Sequence, residues 1–418
     1  MIRVILLIAV ILALDVYAFQ AIRFVSRNLS FSRYIYIAYW TFTVFSILIV
    51  LASAFYDVQQ WPKAFRTYSF AMIFIVSFSK LFIIVFLLAD DLIRGIRWIW
   101  SKVSEYYPNN EQVEIMTKEH PVISRYDFLV RAGLVLGSIP FFTMIWGMIS
   151  GAYNYQVKKV KVVSPRVPKS FAGYKIVQIS DIHTGSFIGT SALVEAVRLI
   201  NEQKPDLVLF TGDLVNNKHE EAVPHSTALK EIKARHGVYS TLGNHDYGDY
   251  VKWPTPEHKK KNLTDLIDLH RSMGWDILLD EHRRIEQNGE HITLIGVQNW
   301  SSHLRFPKYG SMERATENIH YGSFNILMTH DPSHWRSEIL DKYHEVDLTL
   351  SGHTHGMQFG IEIPGFKWSP VQYVYKEWAG LYNEGHQHLY VNRGLGFLGY
   401  PGRVGIMPEI TVIELQHV

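Results

Sequence analysis

Apolar and polar positions follow two different patterns along this chain. Over residues 1–152 the apolar positions form four long runs, at 4–21, 34–56, 68–89 and 132–152. Each is close to the roughly 20 residues with which a helix crosses a bilayer. The pattern therefore predicts an all-α transmembrane domain of about four helices over residues 1–157. Asp15 interrupts the first run and should meet another helix, a headgroup or water, because it is costly in lipid. Pro140 is expected to kink the fourth helix without ending it. Tyr34, Tyr36, Trp40, Trp61, Trp98 and Trp100 lie near run ends and suit a membrane interface. The first run shows no evident small-residue cleavage site and three more runs follow, which argues against a cleaved leader.

From residue 158 onward the apolar stretches are short. Strands are predicted at 174–180, 206–210, 237–242, 324–329 and 346–350, with others near 276–279, 284–287, 291–297, 388–391 and 410–415. Helical spacing is predicted over 191–203, 228–234 and 261–273. Residues 157–168 read as an extended connection, with Pro165 and Pro168 as breakers, and 105–121 as a polar loop or short surface helix. The result is an α/β domain over 158–418, in which ligands gather at the carboxyl ends of strands.

Composition adds exclusions. The 418 residues carry a formal net charge of +2, so bulk charge gives no reason to expect a nucleic-acid partner. There is no Cys, which removes disulfides, zinc–thiolate sites and cysteine nucleophiles together. The basic residues are unevenly placed. Arg23, Arg27 and Arg33 lie between runs one and two, and Arg94, Arg97, Lys102, Lys118, Arg125 and Arg131 between runs three and four. Only Lys63 and Arg66 lie between runs two and three. Basic loops stay cytoplasmic, which puts the N-terminus and residues 158–418 on the outer face of the membrane. Lys158, Lys159 and Lys161 argue the other way.

The candidate chemistry lies at five strand ends. They are Asp181-Ile182-His183, Gly212-Asp213, Gly243-Asn244-His245-Asp246, His330 and Gly352-His353-Thr354-His355. Singly, each has an ordinary explanation, since Asn and Asp cap helices and lone histidines are usually structural. Turns do not explain all five at successive strand ends. His353 and His355 are two apart and share a face of an extended segment. Gly352 and Gly356 allow the backbone to turn and approach closely there. The donors Asp181, His183, Asp213, Asn244, His330, His353 and His355 are oxygen and nitrogen without thiolate, a set suited to Mn, Fe or Zn. Seven donors exceed one tetrahedral site, so two divalent ions are expected, with Asp213 as the bridge. Such a pair clamps an in-line displacement at phosphorus and generates hydroxide at neutral pH. His245 can point away from its neighbour Asn244 and is the candidate general acid. Asp246 would orient His245 or supply a supporting hydrogen bond.

This order of motifs resembles the calcineurin-like metallophosphoesterase superfamily over about residues 170–418. It is similar to the membrane-associated bacterial branch that includes the YkuE-like phosphoesterases, as are the closing stretches 390–396 and 408–410. The resemblance implies a four-layer α/β/β/α sandwich with the dimetal site at the sheet edge. It also implies that Asp181, His183, Asp213 and His355 hold one metal, and Asp213, Asn244, His330 and His353 the other. Asn216 stands where the superfamily often has a second Asp, and Gly356-Met357-Gln358 where the branch often has Gly-Gly-Gln. Ser124-Arg125-Tyr126-Asp127-Phe128-Leu129 resembles a twin-arginine export signal with one arginine lost, which favours an outward-facing catalytic domain.

Two stretches mix aromatic and basic residues as a membrane interface or an amphiphilic phosphate would require. Residues 299–309 hold Trp300, His303, Arg305, Phe306 and Tyr309, and 368–382 hold Tyr373, Tyr375, Trp378 and Tyr382. One or both are expected to line the approach to the metals and face the bilayer. Arg305 and Arg393 are candidate phosphate binders, and Trp300 and Tyr375 candidate substrate contacts. The expected function is dimetal hydrolysis, at the bilayer, of a phospholipid or a lipid-linked phosphate or pyrophosphate. The branch includes enzymes similar to UDP-diacylglucosamine pyrophosphatases, so a nucleotide-linked lipid is a candidate. The alternatives are a hydrolase of soluble phosphoesters for which the spans only anchor, and a membrane receptor or scaffold with an inactive domain. Seven intact donors argue against the last.

Overall fold

The computed structural model describes residues 2–106 and 123–418. The polar stretch 105–121, with Lys118, lies almost wholly outside the described residues. The chain divides into two compact units, Met1–Trp146 and Gly147–Val418.

The first unit is helical. Its elements are α1 (Ile2–Ser26), α2 (Ser32–Phe55), α3 (Lys63–Tyr106) and all but the last turn of α4 (Arg125–Ile149). All four are long and apolar enough to cross a membrane. Asp15, midway along α1, is buried and meets a partner helix. Its carboxylate takes the Lys80 ammonium of α3 at 2.5 Å and the Thr43 hydroxyl of α2. The Lys80 ammonium also lies 4.6 Å from the centre of the Tyr39 ring. The helix α4 runs through Pro140 unbroken. It approaches α3 closely, since a Cβ at Gly137 would lie 2.8 Å from Ile83 Cγ1, the small-residue packing that lets helices associate in lipid. With 44 residues, α3 is about 66 Å long at 1.5 Å per residue, more than twice the hydrocarbon thickness. Its part beyond Ala89 must therefore leave the lipid core. There Asp90 pairs at 3.0 Å with both Arg94 and Arg125, so the arginine of the export-signal-like segment is committed to a helix–helix ion pair.

The second unit contains two six-stranded mixed sheets. The first is built from β1 (Gln156–Val163), β2 (Lys175–Ile179), β3 (Leu207–Phe210), β4 (Val238–Ser240), β5 (Trp275–Ile277) and β14 (Glu409–Gln416), in the order β1-β14-β2-β3-β4-β5. The second is built from β6 (Glu281–Gln287), β7 (Glu290–Gly296), β8 (Asn325–Met328), β9 (Leu348–Ser351), β12 (Gly380–Glu384) and β13 (Gln387–Val391), in the order β12-β13-β9-β8-β7-β6. Between them β10 (Ile361–Ile363) and β11 (Phe366–Trp368) form a separate ribbon. The sheets face each other across one apolar core in which Ile176, Leu207, Leu209 and Ile413 meet Leu294, Ile326, Leu348 and Tyr390. Helices α5 (Ser191–Glu202), α6 (Ser226–Leu229) and α7 (Pro256–Ser272) lie with the outer face of the first sheet, where Leu193, Ala196, Val197 and Ile200 of α5 are buried at helical spacing. The short α8 (Met312–Ala315), a π-helical turn at Trp335–Ile339 and α9 (Leu340–Lys342) cover the second. This is the α/β/β/α sandwich.

Two local expectations change. Residues 157–168 are not a plain connection, because β1 pairs in parallel with β14 over its whole length. Its β-branched alternation supplies an edge strand. The helix expected at 228–234 shortens to α6, because Asn201 of α5 captures the Glu231 carbonyl at 2.8 Å and the Lys233 N–H at 2.9 Å. A side chain thereby takes over bonds that a helix would have made.

Candidate active site

Strands β2, β3, β4, β8 and β9 end together, and their tips are laced by hydrogen bonds. The Asp181 N–H donates to the Gly212 carbonyl and the Gly352 N–H to the His330 carbonyl, each at 2.9 Å. Gln178 crosses between sheets to the Ser351 carbonyl at 2.9 Å. Five of the expected residues adopt left-handed backbone: Asp181 (φ 50°), His183 (50°), Asp213 (61°), His353 (71°) and His355 (51°). Such conformations cost roughly 1–3 kcal/mol each outside glycine and cluster where function demands them. Gly352 permits a close approach, since a Cβ there would lie 2.0 Å from Ser180 Oγ.

All seven expected donors converge on one site. Asp181, His183 and His355 form one cluster, and Asp213, His330 and His353 another. His183 Nε2 lies 3.1 Å from His355 Nε2 and 3.6 Å from Asp213 Oδ2. His355 Nε2 is 3.2 Å from Asp181 Oδ1, and His330 Nε2 is 3.1 Å from Asp213 Oδ2. Asn244 donates its amide to the Tyr250 hydroxyl at 2.8 Å, which turns Oδ1 to within 2.9 Å of His353 Nδ1.

Supporting hydrogen bonds decide where the imidazole protons sit. His330 Nδ1 faces the Thr211 carbonyl at 2.8 Å, a group that only accepts, so Nδ1 carries the proton and Nε2 is left without a hydrogen-bond partner. His183 Nδ1 is held by Asn216 Oδ1 at 3.1 Å. Tyr375 donates to Asp331 Oδ2 at 3.1 Å and so receives His353 Nε2–H at 2.9 Å. In each case the inward nitrogen presents a lone pair. Lone pairs and carboxylates converging without protons between them require a cation. The electrostatics agree. Burial alone would lower His330, yet Asp213 and Asp181 push it up to about 10, so a proton takes the place of a positive ion. Burial lowers His183 to about 3 and His353 to about 4, which keeps both neutral. Burial would raise Asp181 and Asp213, but His355 holds the first and His330 the second well below the usual carboxylate range. The residues present therefore fit divalent metal.

His245 is partly exposed at the rim, with its ring edge-on to His183 at 5.0 Å between centres. Its N–H binds Asp213 Oδ1 at 2.8 Å and its Nδ1 faces the Asn216 carbonyl at 2.7 Å. Asp246 does not orient it. The 3₁₀ turn Asn244–Tyr247 aims Asp246 back into the sheet, where it accepts the N–H groups of Asp213, Leu214, Val215 and Gly243 at 2.8–3.2 Å. Asp246 thus holds the Asp213 loop in its left-handed shape.

Two of the four expected substrate contacts lie elsewhere. Arg393 is buried against Glu409, with Glu362 at 2.9 Å, so its charge is already satisfied. Trp300 is packed behind the second sheet, stacked 4.1 Å from His334 beneath the Lys308 ammonium. Its indole fills core rather than the approach. Tyr375 touches His353 as described. Arg305 is exposed over the Phe306 ring, whose edge meets His353 at 4.8 Å. Three residues escaped the sequence reading. Asp331 directly follows His330 and was discoverable by adjacency. Tyr250 had no signal beyond lying near Asn244. Arg403 had none: it is fully buried, and its guanidinium binds the carbonyls of Arg393 at 2.8 Å and Gly396 at 2.5 Å and lies 3.3 Å from His355 Nδ1. Burial lowers it to about 10.

The Asp331–Tyr375–His353 chain carries a prediction. Tyr375→Phe keeps the ring but removes the acceptor that fixes the His353 tautomer. Metal affinity should fall by about 10–100-fold, the usual cost of losing a group that orients a metal ligand. Titration of the metal-free protein with Mn, followed by calorimetry, reads this directly. An unchanged affinity would mean that the tyrosine only packs.

The sandwich and its paired Asp and His clusters define a metallohydrolase-type fold. Residues 174–357 match the model of the calcineurin-like phosphoesterases, and residues 2–152 match one described as a probable calcineurin-like phosphoesterase transmembrane domain. The chain belongs to the calcineurin-like metallophosphoesterase family, and it is a membrane protein. The uncharacterized metallophosphoesterase YkuE of Bacillus subtilis is 32% identical over 261 residues, covering 61% of this chain and 83% of that protein. A transmembrane protein with metallophosphoesterase domain from Danio rerio is 31% identical over 282 residues. That alignment covers 65% of this chain and 60% of the zebrafish protein. Phosphodiesterase YaeI of Escherichia coli is 28% identical over 249 residues, covering 58% of this chain and 83% of that protein.

Proposed function

We propose that this chain hydrolyses a phosphoester bond of a phospholipid or lipid-linked phosphate, using two divalent ions. Asp181, His183, Asp213 and His355 would hold one ion, and Asp213, Asn244, His330 and His353 the other. The carrying observation is the convergence of buried imidazole nitrogens and carboxylates in two adjacent clusters, Asp181/His183/His355 and Asp213/His330/His353. Ions bound there supply Lewis acidity and a nucleophilic water at neutral pH. The chain's own residues do the rest. With Nδ1–H given to the Asn216 carbonyl, His245 has Nε2 left to carry a proton to the leaving oxygen. Arg305, exposed beside Phe306, would meet phosphate charge. The lipid class is supported by the membrane unit fused to the site. The Lys and Arg bias between the apolar runs supports an outward catalytic unit with the N-terminus on the same face.

The test uses the full chain in vesicles with Mn and a lipid extract, compared with His245→Ala and read by mass spectrometry. One lipid should be consumed by the wild type and persist with the variant. Turnover by His245→Ala should fall about 10²–10⁴-fold, the range for a lost general acid, and should fall much less with a nitrophenyl leaving group that needs no proton. Cleavage of water-soluble diesters alone would overturn the lipid assignment. Failure on every phosphoester would overturn the enzyme.

A further inference from the structure

The ribbon β10–β11 has its polarity reversed. Register pairs Ile361 with Trp368, Glu362 with Lys367 and Ile363 with Phe366. Alternation puts Ile361, Ile363, Phe366 and Trp368 on one face and Glu362 and Lys367 on the other. In a water-exposed ribbon the charged face would point outward. Here it turns toward the domain through its polar ends, with Glu362 half-buried and the stem of Lys367 still exposed. Glu362 accepts from Arg393 at 2.9 Å and Lys158 at 3.4 Å, and the Lys367 ammonium reaches the Ala379 carbonyl and lies 4.7 Å from the Trp378 ring centre. The apolar face is turned out, with Ile361 48%, Ile363 58% and Phe366 52% exposed. Met357, Tyr373 and Val374 extend the exposed apolar surface. The Trp368 indole N–H reaches the Tyr373 hydroxyl at 3.4 Å, a pair of amphipathic rings suited to a membrane interface.

The occupant follows from what the ribbon is attached to. The last turn of α4 belongs to this same unit, and its Gly147 carbonyl accepts the Arg403 N–H at 3.2 Å. Val404, the next residue, donates to the Gln358 carbonyl at 2.8 Å and accepts the Gly360 N–H at 2.9 Å. Gly360 immediately precedes β10. The ribbon is thus two contacts away from the point where an apolar helix of membrane-crossing length ends. An apolar partner expected beside the end of such a helix is a lipid surface.

We propose that the Ile361–Ile363–Phe366 face of this ribbon seats in the interfacial layer of the bilayer from which α4 emerges. It brings the His355–Gln358 segment, which leads into the ribbon, to the lipid headgroups. This does not depend on which phosphoester is cut. The chain has no cysteine, so a single I363C or F366C variant of the full chain carries one fluorescent label. The protein is reconstituted in vesicles of phosphatidylcholine and phosphatidylglycerol at three to one, with a label at exposed K230C as reference. Brominated acyl chains should quench the labels at both ribbon positions several-fold more than the reference, and aqueous iodide several-fold less. Equal iodide quenching at the reference and both ribbon positions would overturn the proposal. So would efficient crosslinking of I363C to I363C, which would mean that a second copy covers the face. Using two ribbon positions guards against one variant misfolding.

Discussion

Replacing Asp213 with Asn should uncouple this protein from its metals. Asp213 faces both clusters, at 3.6 Å from His183 Nε2 and 3.1 Å from His330 Nε2, and more closely than Asp181, whose Oδ1 is 3.2 Å from His355 Nε2 but 3.9 Å from His330 Nε2. The substitution keeps the shape and the hydrogen bond from the His245 N–H while removing the charge. Turnover should fall by roughly three orders of magnitude or more, equal to about 4 kcal/mol of barrier. Stability supplies a second readout. Without metal, the ionised Asp213 carboxylate is held by His330, so the variant without metal should melt somewhat lower than the wild type at neutral pH, and the metal-dependent gain is read against that baseline. With metal at about 100 times Kd, the wild type should gain about 2.7 kcal/mol per site, and the variant should lose most of that gain. Melting curves with and without Mn, together with metal analysis, decide it. A variant that keeps its metal and its activity would show that Asp213 is no bridge.

The other large effect is expected far from the chemistry. Lys80→Ala leaves the Asp15 carboxylate buried among apolar helices without its cation, with the Thr43 hydroxyl still donating to it. Breaking one side of a buried pair costs about 3–5 kcal/mol, against a whole-domain stability of about 5–15 kcal/mol. The variant should therefore accumulate poorly and melt early in detergent. The double replacement Asp15→Asn, Lys80→Met removes both charges at similar volume and should recover most of the loss. If the double variant folds well but phosphoester turnover collapses, the pair serves function and not only assembly.

What was legible in the sequence depended on whether a signal was local. The four membrane helices and the strand-tip donors announce themselves within a few residues, as a run of apolar positions or as Gly-Asn-His-Asp. Partners that meet across the fold do not. Lys80 sits in a run apolar enough to mask it, and its meaning appears only beside Asp15, 65 positions away. Arg393 sits in a polar Asn-Arg-Gly stretch that reads as a binder, but Glu409 and Glu362 from distant strands consume its charge. Trp300 has an aromatic and basic neighbourhood because Lys308 packs on its ring, which imitates a substrate wall. The left-handed conformation of five donors is invisible to pattern reading, since Asp and His carry no turn signal as strong as glycine's. Only the flanking glycines hinted at it.

Arg403 gives the anchor a different meaning. Its backbone N–H closes onto Gly147 in the last turn of α4, and its guanidinium gathers the carbonyls behind His355. One residue is therefore shared between the last turn of α4 and the wall of the candidate metal site. A Cβ at Gly151 would strike the Arg403 carbonyl at 2.0 Å, so the chain leaving the membrane is fitted to this loop rather than strung beside it. A shortened protein beginning at β1 would remove a keystone's seat along with the tether. The last turn of α4 thus belongs to the fold of the second unit and is not merely a tether to it.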